Sequence, residues 1–137
     1  MLARDVRTGD RGATIVEFAL VAPVLCALIL GIIAFGHAYF VQTTLSNAAR
    51  DAVRVMALQD TSGGRDPVLE AKKRAVLSAA PAVTITQSQV TVTPTTCEAA
   101  DTSGPLTATV AIKYPHKLLG LGWQVELTGR GTMRCNG

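Results

Sequence analysis

The chain has 137 residues, 48% of them hydrophobic, 4% aromatic and 17% charged, with 13 Lys and Arg against 10 Asp and Glu. That length holds one domain, and less than one once the apolar residues are located, because they are unevenly spread. Residues 13–41 carry one charged side chain, Glu17, so much of the hydrophobic content is lost to any soluble core. A large soluble enzyme is excluded, and the 96 residues after position 41 suffice only for a small domain with a thin core.

The first 12 residues hold Arg4, Arg7 and Arg11 with Asp5 and Asp10. From Phe18 to Gly36 the chain reads FALVAPVLCALILGIIAFG, 19 residues without a charge. As a helix this run is roughly 28 Å long, close to the thickness of a bilayer's hydrocarbon core. A cleaved secretory signal is the alternative, since Gly36-His37-Ala38 resembles a small-x-small cleavage site. Signal cores run to about 7–15 residues, and this one is longer. Three Arg before the span favour a cytoplasmic N-terminus, although Arg50 and Arg54 follow within 20 residues and weaken the bias.

Between leader and span the chain reads Asp10-Arg11-Gly12-Ala13-Thr14-Ile15-Val16-Glu17-Phe18. A carboxylate at membrane depth is unfavourable by about 2–4 kcal/mol unless it snorkels or finds a partner. At headgroup level Glu17 would cost little. A cut after Gly12 would supply a partner, because Ala13 would then carry a free ammonium one helical turn, about 6 Å, from Glu17. Paired within one chain or between neighbours, the two charges offset each other's desolvation.

Arg11-Gly12 followed by Ala-Thr-Ile-Val-Glu-Phe resembles a class of prepilin cleavage sites. The longer strings GATIVEFALVAPVL and GIIAFGHAYFVQTTLSNAARDAVR resemble the TadE-like family of minor pilins, or pseudopilins, of the bacterial tight-adherence pilus machinery. The likeness is dense over residues 11–58 and thin afterwards. It implies cutting between Gly12 and Ala13 by a prepilin peptidase, with Glu17 serving in processing or docking and Phe18 as the aromatic that follows. It also implies an inner-membrane protein with its N-terminus cytoplasmic and its head outside, destined for a pilus used in adhesion. Its partners would be other pilin subunits and the membrane assembly platform, besides the bilayer itself. His37 departs from the family pattern and reads as an interfacial residue.

Helical periodicity continues past the span through Val41, Leu45, Ala48, Ala52 and Met56. Traced backwards, the same face holds Ala38, Ala34, Gly31 and Ala27, small residues that let another helix backbone approach closely. The expected packing face is therefore Ala27, Gly31, Ala34, Ala38, Leu45, Ala48 and Ala52. The alternative is that Ala and Gly are simply frequent in membrane helices. Pro23 removes the amide that would bond the carbonyl of Ala19, so a kink is one expectation and neutral tolerance the other.

Asp60 to Pro67 is a breaker, after which Asp66 caps a second helix with Pro67 at its first position. Glu70 and Arg74 stand four apart as an expected ion pair. Lys72-Lys73-Arg74 has no interleaved aromatics, so nucleic acid is not an expected partner. Val83, Ile85, Val90 and Val92 alternate as a strand or a bulged pair of strands. Leu106–Tyr114 alternates cleanly, and Trp123–Thr128, resuming at Gly131–Cys135, reads as a final strand. Residues Pro115 to Trp123 read as an apolar loop that could pack on the head, touch the bilayer or meet another subunit.

The expected architecture is α+β: a leader over 1–12, a long helix over 13–59 crossing the membrane at about 18–36, and a head over 60–137. The head would hold the second helix and a roughly three-stranded antiparallel sheet, an arrangement that the resemblance makes pilin-like. Cys26 lies in the span and reads as packing. Cys97 and Cys135 in a small exported domain read as one disulfide, with two free thiols the alternative. No CxxC, HExxH, Walker or GxSxG pattern occurs. No catalytic residue, metal site or cofactor is expected. Two further readings remain open: an uncleaved single-pass membrane anchor carrying a binding module, and an exported soluble binding protein.

Overall fold

The computed structural model describes residues 9–58, 64–97, 107–118 and 122–135. Residues 1–8 of the expected leader, 59–63 of the breaker, Leu106 and 119–121 of the apolar loop lie outside them. The chain divides into two units, one ending at Gly36 and the other beginning at His37.

The first helix, α1, spans Gly9–Ala57 and runs through both units. It begins four residues before the expected start at Ala13 and stops two before the expected end. Gly12 does not break it, because a helical glycine is unfavourable by only about 1 kcal/mol and its neighbours Arg11 and Ala13 favour helix. Pro23 lies inside the helix without ending it. In the first unit the large side chains point outward all round, with Phe18 72%, Leu20 70% and Ile32 72% exposed. None of this unit's described residues is buried. By length and composition the helix could cross a membrane.

In the second unit α1 has a core-facing stripe. Val41, Leu45, Ala48, Ala49, Ala52, Val53 and Met56 are all buried. As α1 enters this unit, the hydroxyls of Thr43, Thr44 and Ser46 donate to carbonyls three or four residues back.

The second helix, α2, spans Pro67–Ala79. Asp66 caps it, accepting from the amides of Val68 at 2.9 Å and Leu69 at 3.4 Å. Its buried residues are Ala71, Ala75 and Ala79, one per turn and all small, which keeps the helix close to its neighbours. Asp51 of α1 ties it down, accepting from Ser78 Oγ at 2.8 Å and pairing with Arg74 at 3.9 Å. Arg74 thus reaches across to α1, and Glu70 pairs with Lys73 at 3.0 Å instead of with Arg74 as expected. Both pairs are exposed and add little stability.

Three antiparallel strands follow, β1 (Val90–Thr93), β2 (Thr107–Lys117) and β3 (Gln124–Arg134), in the order β1-β2-β3. Val83 and Ile85 are buried but precede the sheet. A short 3-10 turn at Gln87–Gln89 separates them from β1, and the Thr86 amide donates to the Gln89 side-chain oxygen at 2.8 Å. β2 runs on through Pro115, His116 and Lys117, where a loop was expected. β1 pairs only with Thr109–Ile112, so Pro115 sits where β2 is an edge and tolerates a residue without an amide.

β3 is continuous where the sequence pattern predicts a break after Thr128. The register aligns Val90, Ile112 and Gly129 in one row and Val92, Val110 and Gly131 in the next. Each inward-facing row ends in a glycine lying against α1. A Cβ on Gly131 would come within 2.6 Å of the Ala49 carbonyl oxygen, and one on Gly129 within 2.7 Å of Leu45 Cβ. Two strand residues advance about 6.6 Å and four helical residues about 6 Å, so one strand repeat matches one helical turn.

Cys97 and Cys135 form a disulfide with Cα atoms 5.3 Å apart and 38 positions of separation. Cys97 follows β1 and Cys135 follows β3, so the bond joins the chain beyond the two edge strands. Closing a loop of that size restricts the unfolded chain by about 4 kcal/mol.

Gly131→Ala should destabilise the second unit by about 1–3 kcal/mol, because the methyl group meets helix backbone that cannot rotate away. Gly36→Ala, which meets nothing within 4 Å, should be neutral or slightly stabilising; chemical denaturation followed by the sheet's circular dichroism checks both. Replacing Cys97 and Cys135 together by Ser should lower stability by about 4 kcal/mol in the same measurement.

Candidate functional site

Sequence analysis places the candidate site at the start of α1, within the first unit. Gly12 lies three residues from the helix start, in the turn whose amides have no intrahelical acceptor. A Cβ on Gly12 would meet nothing within 4 Å. Unwinding Gly9 to Gly12 gives up the bonds that their carbonyls accept from the next turn and leaves their own amides no worse paired. Glycine at the last of these positions lowers the penalty for leaving the helix further. Ala13 and Glu17, separated by one turn, share a helix face about 6 Å apart along the axis. Both are exposed, as is Phe18.

The expected packing face divides between the two units. In the first, Ala27 is exposed while Gly31 and Ala34 are half-buried by their own helix neighbours. Ala38, half-buried, is the second residue of the other unit. Leu45, Ala48 and Ala52 are 0% exposed and sit in the core that α1 shares with α2 and the sheet. These three are therefore taken by the chain's own fold, so a face for another helix narrows to Ala27, Gly31, Ala34 and Ala38. The reason is that a small apolar stripe serves a sheet as well as a second helix, and periodicity alone does not distinguish them. Cys26 is a free, exposed thiol on the apolar helix.

At the His37 end of the second unit the structure joins two residues that sequence analysis treats separately. His37 Nδ1 and His116 Nε2 are 3.4 Å apart, with ring centroids at 5.1 Å. One nitrogen must carry the proton and the other accept it. His116 is 8% exposed and Tyr114 stacks obliquely beside it, its ring centroid 6.4 Å away. A groove of about 520 Å³ runs past His37, Val41, Val83, Tyr114 and Lys117. Close by along α1, Gln42 Nε2 donates to the Thr128 carbonyl at 2.7 Å. The two histidines are 79 positions apart, and no local pattern announces their meeting. Among the described residues, no three of His, Cys, Asp and Glu come together in a way that could hold a metal ion.

At the opposite end of the unit, Asp51, Arg54, Arg65, Glu70 and Arg74 line a cleft of about 540 Å³. Its mixed charges select no particular ligand.

Residues 12–54 match the family model described as TadE-like protein. The match starts at the glycine of the junction and takes in Glu17, the whole apolar run and most of the buried stripe of α1. α2 and the three strands lie beyond it. No curated protein and no solved structure matches the chain. The segment carrying the junction and the apolar run is thus similar to the TadE-like family.

Proposed function

We propose that this protein is a minor pilin or pseudopilin acting in assembly of a tight-adherence type IV pilus. A prepilin peptidase cuts it between Gly12 and Ala13 on the cytoplasmic side of the inner membrane, and the head stands outside. The observation that carries this reading is the family match beginning at Gly12, on a helix where residues 12–18 and the large apolar side chains before His37 are exposed. Lipid first, then neighbouring pilin helices, would cover such an apolar surface. Once Ala13 is the first residue, its ammonium and the Glu17 carboxylate share a face, and a charge pair of this kind is suited to docking in an apolar setting. The role is structural, with no chemistry performed by the chain itself.

A second reading, an uncleaved single-pass anchor for an envelope-binding head, is favoured by one observation. α1 continues unbroken through Gly12 back to Gly9.

The N-terminal mass of membrane-extracted protein separates the two. A chain starting at Ala13 is expected, and an intact Met1 supports the anchor. Glu17→Ala is expected to leave membrane insertion unchanged, as read by resistance to alkaline extraction, while pili are lost. Normal pilus numbers in that variant would remove Glu17 from the docking role.

A further inference from the structure

We propose that the closed end of the β2–β3 hairpin is a second membrane contact, seating Trp123, Val125 and Leu118 in the outer interface of the bilayer with Lys117 at its polar edge. The inference rests on the reading of residues 18–36 as a membrane span.

The first observation is direction. Gly131 lies against Ala49 and Gly129 against Leu45, so moving back along β3 by two residues moves back along α1 by four. Continuing this way leads to Val125, which pairs with His116, and His116 touches His37. The closed end of the hairpin is therefore at the His37 end of the second unit. His37 follows Gly36 directly in the chain, so this end is one residue from the end of the span.

The second observation is exposure along one face of β3. Gly131 and Gly129 are buried, and Leu127 is half-buried. Val125 is then 42% exposed and Trp123 73% exposed. The face that holds the core continues past the point where the unit's own core ends, with apolar side chains that become more exposed. Strand pairing reaches Lys117 and Gln124, and the Leu118 amide donates to the Trp123 carbonyl at 3.1 Å, so Trp123 is held on an ordered hairpin end.

The third is chemistry. An indole with an apolar body and one N–H donor is the side chain most suited to the headgroup level, and Lys117, exposed at the last pair of the two strands, extends its ammonium to lipid phosphates while its stem stays apolar. A lipid surface fits this set better than a soluble partner because the covalent link at Gly36 brings the site to the bilayer without an association step.

Trp123 is the only tryptophan in the chain, so its fluorescence reports on this site alone. The full chain is reconstituted in vesicles of phosphatidylcholine and phosphatidylglycerol with bromines placed high or low on the acyl chains. Expected are a blue-shifted emission and stronger quenching by the shallow bromines than by the deep ones. In a second variant carrying W123F and L58W the reporter moves to Leu58, about 30 Å along α1 from His37. Leu58 is 54% exposed, and no quenching is expected there. Water-like emission without quenching, from protein that resists alkaline extraction, would overturn the hairpin contact and leave the span intact. A blue shift that ignores bromination and grows with protein density would overturn it in favour of a second copy. Protein released by alkaline extraction would overturn the span itself, and the hairpin contact with it.

Discussion

The second unit depends on the approach of β3 to α1 at Gly129 and Gly131. Two rows of inward side chains, Val90 with Ile112 and Val92 with Val110, each end at a glycine pressed on helix backbone. The absence of two side chains lets helix and strand meet at a separation that no larger residue allows. With the helix that close, small residues fill what remains between the layers, and Leu45, Met56 and Ile112 are the largest fully buried side chains. The one aromatic packed against this core is the partly buried Tyr114, among the described residues. The match between one strand repeat and one helical turn keeps both contacts in phase. Asp51 then secures α2 to the exposed side of the same helix through Ser78 and Arg74.

α1 is one continuous element with two kinds of surface. From His37 onward it has a buried stripe and a polar remainder, the pattern of a helix that shares a core. Before His37 its large side chains are exposed on every side, the pattern of a helix whose surroundings are apolar. From Ala13 to Gly36, Glu17 is the single charged side chain, and it falls one turn from Ala13. On the proposed reading, removal of the leader turns an isolated carboxylate into half of a charge pair, and the same helix passes from lipid to a filament without changing its fold.

A core made mainly of Ala and Val buries less surface per residue than one built on Leu and Phe. The disulfide between Cys97 and Cys135 compensates by limiting the unfolded chain. It joins the chain after β1 to the chain after β3, the two strands that each have only β2 as a neighbour. The opposite end of the sheet is held differently, by the His37–His116 contact and by Gln42 bonding to the Thr128 carbonyl.

Much was legible in the residues. The apolar run, the Asp66–Pro67 helix start, the alternation of β2 and the cysteine pairing each rest on local pattern or on counting, and local physics sets them. The family likeness sits in the same N-terminal stretch. Other features were not legible because they depend on residues distant in sequence. Gly129 and Arg130 read as a strand break until α1 is seen against Gly129. Leu45, Ala48 and Ala52 read as a face for another helix until the sheet covers them. Arg74 was assigned to Glu70 until Asp51 of α1 came within reach. His37 and His116, 79 positions apart, become neighbours only because the hairpin runs back to the start of the second unit. The sequence by itself determined which segments are helix, strand and membrane-like, since periodicity and charge act over a few residues. Only the tertiary structure decided which apolar face meets which partner, because packing selects among faces that periodicity leaves equivalent.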